Sequence, residues 1–254
     1  MKIIKEQDTA HEVFKDFSPG ENILEIFRFE DPSGYMVIRR GKTFVVQISS
    51  KENIEMNDDL KKILKPYMKS DVYMILDVNL KTLESHLTNK GFKNWFGYYE
   101  MSLTHYDNKM RVGQLKGYLG HDETYNRILG KAFEPMRTLH GFEPYDWYGS
   151  NPEEANKEYK EAEEQDKFYS YEVDGRLIGV SMVIDNMIDV IAIDPVLQKG
   201  GYGREFLKGV LCDLFKKGHQ EIKIGVVESN DHVYRLYSSE GFKTDSHKRM
   251  YKNY

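Results

Sequence analysis

The sequence has one cysteine, Cys212, so it can form neither an intrachain disulfide nor a multi-cysteine metal cluster. Its eight histidines are scattered and none belongs to an HExxH pair, which removes the common zinc-protease arrangement. Basic charge is not in excess: 36 Lys and Arg stand against 41 Asp and Glu, a net charge of -5. A main partner held by phosphate contacts, such as nucleic acid, is therefore not expected. No apolar run is long enough to span a bilayer, and the opening MKIIKEQD does not read as a signal peptide. A cytoplasmic protein with no metal and no membrane partner is the expectation.

What remains is ordinary globular composition. The 254 residues are 40% hydrophobic and 30% charged, enough for one large domain or two modest ones, each with a core. Apolar alternation predicts strands at 23–28 and 35–48, the second folded on itself at Gly41. A helix is expected over 58–68, a buried strand over 71–78, and a short helix over 81–90 closed by Gly91. Residues 92–103 read as two more strands, and the polar stretch 105–111 as a linker. A second series follows, with a strand at 114–119 and a helix at 122–140 kinked or ended near Pro135. An acidic helix over 151–165 has Pro152 in its first turn. Asp174-Gly175 marks a hairpin between strands at 168–173 and 176–184, and an apolar strand occupies 187–193. A helix to 217, a strand at 221–227, a helix to 240 and final strands complete the chain.

The two series share a signature. Residues 83–103, LESHLTNKGFKNWFGYYEMSL, and 233–253, VYRLYSSEGFKTDSHKRMYKN, each read as a short helix, Gly-Phe-Lys and strand-like residues. A repeat of this length points to a duplicated domain rather than a solenoid.

Glycines concentrate in QKGGYGREFL, residues 198–207, directly after the strand at 187–193 and the turn Asp194-Pro195. Beyond them Phe206, Leu207, Val210, Leu211 and Leu214 fall at helical spacing. The glycines thus sit at a helix N-terminus, where unpaired N–H groups and the positive dipole end face outward. Missing side chains let a phosphate approach the backbone, so the loop suits an anion, most plausibly a pyrophosphate. The alternative is a tight turn with no ligand. A Walker loop requires Gly-Lys-Ser/Thr, whereas Gly203 is followed by Arg204-Glu205; the dinucleotide fingerprint lacks its third glycine, with Phe206 in that place.

The stretch Ile193-Asp194-Pro195 followed by Gln198-Lys199-Gly200-Gly201-Tyr202-Gly203 resembles the acyl-CoA signature of the GNAT superfamily of N-acetyltransferases. A second family motif has the spacing of Asn230, Val233, Leu236-Tyr237 and Gly241-Phe242. The resemblance covers roughly residues 114–254. It implies an α/β fold of the α+β type: two GNAT-like domains, each a mixed, mostly antiparallel sheet flanked by helices. Residues 1–107 would be a degenerate copy and 108–254 the N-acetyltransferase domain. The first half keeps Gly91-Phe92 but has no glycine loop between Ile48 and Asp71, and Leu87 stands where the tyrosine belongs.

The implied reaction is attack of an amine on acetyl-CoA, with no metal and no nucleophilic side chain. The resemblance assigns Ile191, Ala192 and Ile193 to the pantetheine arm and the acyl oxygen. It assigns Gln198, Lys199, Gly200, Gly201, Tyr202, Gly203 and Arg204 to the pyrophosphate. Asn230 would bond the pantetheine or cap its helix, and Tyr237 would protonate the leaving thiolate or simply pack helix against sheet. Asp189, which interrupts the apolar run 187–191, and Glu228, at the end of the next strand, are candidates for the base; a water relay is the alternative. Cys212 reads as a packed thiol. The acidic segment 143–166, with Tyr145, Trp147, Tyr148 and Tyr159, would suit a cationic amine; the plainer reading is a solvated helix face. The acceptor is expected to be a small-molecule or peptide amine and the protein a monomer or homodimer. A rival from another class is a non-catalytic acyl-CoA-binding module acting through a protein partner.

Overall fold

The structure, a computed structural model, describes residues 1–6, 22–30, 33–68, 71–106 and 115–253. These form two compact units, Met1–Tyr98 with Ser246–Tyr254, and Tyr99–Asp245. Each is a mixed, mostly antiparallel sheet flanked by helices, the fold class expected from the element order.

The first unit begins with β1 (Lys2–Lys5), β2 (Asn22–Glu30), β3 (Gly34–Arg40) and β4 (Phe44–Ser50). Neighbours pair antiparallel in chain order. Then come α1 (Asp58–Leu64), a 3-10 turn (Lys65–Tyr67), β5 (Val72–Asp77), α2 (Lys81–Asn89) and the start of β6 (Phe92–Leu103). The end of the last strand, β12 (Lys243–Asn253), belongs to this unit too: it pairs antiparallel with β5, from Lys248↔Asp77 to Lys252↔Tyr73. Tyr251 of that strand is 2% exposed in a core with Leu83, Leu87 and Phe92, and its hydroxyl donates to Glu84 Oε1 at 2.9 Å. The chain's C-terminus therefore completes the core of its N-terminal unit.

The second unit contains β7 (Leu115–Lys116), α3 (Asp122–His140), α4 (Trp147–Ser150), α5 (Pro152–Glu164), β8 (Phe168–Val173), β9 (Arg176–Ile184) and β10 (Met187–Ile193). A 3-10 turn (Pro195–Leu197), α6 (Tyr202–Lys216), β11 (Ile222–Val227) and α7 (Asp231–Ser239) follow. Strands β7 to β10 pair antiparallel in order, and β10 pairs parallel with β11. Two cores lie on the two faces of this sheet. One holds Tyr125, Tyr148, Tyr159, Val190 and Ala192 under α3, α4 and α5; the other holds Ile188, Ile193, Phe206, Leu207 and Tyr237 with α6 and α7.

Some expectations are corrected. Residues 92–103 form one strand, which passes straight through Gly97. The C-terminal residues are likewise one strand. α3 runs through Pro135 and stops at Gly141 instead, whose φ of 65° accompanies a bond from Phe142 N–H to the Arg137 carbonyl at 2.8 Å. The helix after Asp58 tightens into a 3-10 turn at Lys65, ahead of Pro66. β7 is two residues long; residues 107–114, which include part of the expected linker, lie outside the described residues. Among the described residues no helix is long and apolar enough to cross a membrane.

Candidate active site

β10 and β11 begin side by side and then part. Their parallel register holds only Met187↔Lys223 and Ile188↔Ile224, although β10 continues to Ile193 and β11 to Val227. On its other side β10 stays paired with β9 to Ile193↔Gly179. Residues 191–193 therefore have no β11 partner in that register, although a strand's N–H and C=O groups need partners.

A bulge sits where the strands part. Ile188 pairs with Val183 and Val190 with Met182, so Asp189 has no residue opposite it. A bulge places consecutive side chains on one face. Ile188 packs in the core under α6, Val190 in the core under α3 to α5, and Asp189 turns to the latter side. Solvent reaches its carboxylate, yet the crowding protein strips much of its hydration, and this desolvation raises its pKa. The electrostatic neighbours of Asp189 are Tyr148 of α4 and Glu158 of α5. Glu158 is raised by desolvation first and then by the charges of Asp189, Glu161 and Glu154.

The placement of α4 follows from one glycine. A Cβ on Gly130 of α3 would collide with Asp146 Oδ1, so a larger residue there would have to displace that carboxylate. Asp146 caps α4 by accepting from Gly149 N–H at 2.9 Å. α5 is fixed through Tyr159, fully buried, which donates to Asn126 Oδ1 on α3 at 2.6 Å.

Beyond β10 the chain is tied down by Asp194, 1% exposed. It accepts from Arg127 Nη2 at 2.9 Å and Val196 N–H at 3.3 Å, with Arg176 at 3.5 Å. Burial alone would raise this carboxyl; the Arg127 bond, the Val196 N–H and the two guanidinium charges bring it below its ordinary value. Gln198 Nε2 donates to the Ile193 carbonyl at 3.2 Å. Lys199 and Gly201 then take φ of 65° and 88°, the left-handed region that favours glycine. α6 starts at Gly201 with no side-chain cap. Gly203, in its first turn, has no atom nearer to a hypothetical Cβ than Ile193 Cγ1 at 3.8 Å. Glycine there weakens the helix without any steric need from the protein. A space that a Cβ would fill, beside uncapped N–H groups, fits a pyrophosphate.

Residues 143–254 match the acetyltransferase (GNAT) domain. The loop, the parting strands and α7 all fall inside the matched residues. No curated protein matches the chain. Among solved structures it resembles a GCN5-related N-acetyltransferase from Sphaerobacter thermophilus at 11% identity, covering 90% of this chain and 79% of that one, TM-score 0.56. A GNAT-family acetyltransferase from Colwellia psychrerythraea aligns at 11% identity over 91% of this chain and 85% of that one, TM-score 0.53. A tandem GNAT protein from the clavulanic acid biosynthesis pathway aligns at 10% identity over 92% and 83%, TM-score 0.50. These likenesses show a shared fold.

The remaining expected site residues fall as follows. Tyr237 of α7 is 6% exposed beside Phe242, its hydroxyl without a hydrogen-bond partner among the described residues, and burial raises its pKa. Asn230 caps α7, accepting from Val233 N–H at 3.4 Å. Glu228 lies half-exposed just past β11. Arg204 turns from the loop to Glu240 and to Ser239 Oγ, the latter at 3.0 Å. Cys212 is buried in α6. Sequence marks Tyr148 only as one aromatic of the acidic segment and Glu158 not at all, since nothing local links α4 and α5 to one bulged residue of β10. Among the described residues no group of three or more His, Cys, Asp or Glu is placed to hold a metal ion.

Proposed function

We propose that the GNAT domain, within residues 108–254, transfers an acetyl group from acetyl-CoA directly to a primary amine. The observation that carries this reading is the parting of β10 from β11 after Ile188, beside the uncapped, glycine-opened start of α6. Acetyl-CoA supplies the acyl group as an activated thioester. Residues 198–204 would receive the pyrophosphate, and the β10 edge at 191–193, where β11 no longer pairs, the pantetheine and the charge that develops on the acyl oxygen.

The acid and base lie toward opposite faces of the sheet. Asp189 belongs to the side of α4 and α5, Tyr237 to the side of α6 and α7. Asp189, with its raised pKa, accepts the proton of the incoming ammonium; Tyr237, held protonated by burial, donates to the departing sulfur. Glu228 is the second candidate base. A primary amine pre-positioned between these groups gains much of its rate from orientation alone.

Among the described residues the first unit lacks these features, which supports reading it as a degenerate copy. Its corresponding parallel strands, β4 and β5, stay paired over five residues, from Phe44↔Val72 to Ile48↔Leu76. The joint is then closed further: Ser50 N–H donates to Asp77 Oδ2 at 2.9 Å and Asn79 Nδ2 to the Ser50 carbonyl at 3.0 Å. α1 is capped by Asn57, which accepts from Leu60 N–H at 2.9 Å, so its N-terminus is already satisfied.

The test is thiol release from acetyl-CoA with a panel of primary amines. Amine-dependent release, with the acetylated amine identified by mass, supports the proposal. Acetyl-CoA binding with no transfer to any amine would favour a binding module.

A further inference from the structure

Glu240 closes α7 at the wrong pole for a carboxylate. The C-terminal end of a helix carries partial negative charge and favours cations, yet this acid stands there with its side chain only 6% exposed. Its charge is answered from another helix. Arg204 Nη1 donates to Glu240 Oε1, and Lys208 Nζ lies 3.8 Å from Oε2. Tyr106, just past β6, donates its hydroxyl to the same Oε2 at 3.3 Å. Arg204 Nη2 also donates to the neighbouring Ser239 Oγ at 3.0 Å. Arg204 follows Gly203 directly, and Lys208 lies one turn further along the same face of α6. Two cations at that spacing repel each other, and Glu240 sits against both.

This clamp joins two parts of the site that must act on one molecule. At one end Arg204 belongs to the first turn of α6, beside the glycine cradle. Its guanidinium, expected at the pyrophosphate, is turned toward α7 instead. At the other end Glu240 belongs to the turn that closes on Tyr237: the N–H groups of Glu240 and Phe242 both donate to the Tyr237 carbonyl, at 3.0 and 3.2 Å. We propose that Glu240 is a positioning residue: by holding Arg204 and Lys208 it fixes α7, and with it the Tyr237 hydroxyl, at a set distance from the pyrophosphate cradle. An acyl-CoA seated on the cradle reaches its sulfur through an arm of limited length, so the acid has to stand at the matching place, and a small misplacement costs rate. The proposal rests on the acetyltransferase reading for the role of Tyr237. Loss of the clamp should lower kcat and leave the affinity of the cradle intact.

The experiment compares Glu240→Gln, Lys208→Met, Tyr237→Phe and the two double variants that contain Tyr237→Phe, each checked for folding by circular dichroism. Lys208→Met keeps an apolar stem and removes one cation, so the test stands even where Glu240→Gln does not fold. Acetyl-CoA affinity is read by calorimetry, and kcat from thiol release at saturating concentrations of an amine that the wild type acetylates. Glu240→Gln should lower kcat about tenfold and Lys208→Met by a smaller factor, each with acetyl-CoA affinity within about twofold of wild type. In the Tyr237→Phe background neither should lower kcat further by more than about twofold, because a residue that acts through the tyrosine has nothing left to position. Losses that multiply in the double variants, an unchanged kcat in both folded single variants, or a loss of acetyl-CoA affinity in place of kcat, overturn the proposal and leave the enzyme reading standing. With no turnover of any amine by the wild type, the enzyme reading itself fails and the proposal falls with it.

Discussion

Replacing Gly203 by alanine separates a ligand cradle from a simple turn, because the two readings give opposite consequences. In the protein itself the new methyl meets only Ile193 Cγ1 at 3.8 Å, an ordinary contact. Gly203 lies in the first turn of α6 and needs no unusual φ. Alanine is the better helix former by up to about 1 kcal/mol, less near a terminus. The variant should therefore be as stable as wild type or slightly more so. If a pyrophosphate packs against the backbone here, the same methyl occupies its place and moves it off the N–H groups. Loss of one such contact corresponds to about tenfold or more in affinity, roughly 1.4 kcal/mol. The assay is a thermal melt with a calorimetric titration of acetyl-CoA. A retained or raised melting temperature with weakened binding is the expected pair of results. Unchanged binding would refute the argument that this space is kept for a ligand.

Tyr237→Phe removes a hydroxyl that has no hydrogen-bond partner among the described residues, so stability and acetyl-CoA affinity should be retained while kcat falls about 100-fold, measured with a verified acceptor. Asp189→Asn should lower turnover and erase the acidic limb of the kcat/KM profile, which in wild type should lie above the range of an ordinary aspartate. Its stability effect has a defined sign. A carboxyl whose folded pKa is raised disfavours the native state once pH rises through that pKa, so the asparagine variant should gain stability at neutral pH and none below the ordinary aspartate pKa. Denaturation midpoints at the two pH values check this. Tyr251→Ala removes a fully buried ring and the Glu84 bond, and should destabilise the first unit by about 3 kcal/mol or more, read from urea titration.

Local chemistry made much of this molecule legible. The Asp174-Gly175 turn takes φ of 50° and 74°, as the hairpin reading requires, and the glycines of 200–203 stand at the start of α6 as their spacing implied. What stayed hidden depends on non-local pairing. Residues 246–253 look like any strand, and nothing in their alternation says that their partner is β5, more than 160 residues earlier. The bulge at Asp189 carries no glycine to announce it, so the carboxylate read only as an interruption of an apolar run. Tyr148 and Glu158 were visible as parts of an acidic, aromatic segment. How α4 sits on α3 involves the close approach of Gly130 and Asp146, which cannot be read from either residue alone.

The central claim is that the start of α6 and the parted strands hold an acyl-CoA. Calorimetric titration of acetyl-CoA into the wild-type chain and into Gly201→Asp tests it most directly. Gly201 has a φ of 88° and lies at the uncapped N-terminus, so aspartate there adds backbone strain and a negative charge facing the pyrophosphate. One-site binding to wild type that disappears in the variant is the predicted result. No binding to the wild type, or equal binding to both proteins, would contradict the account.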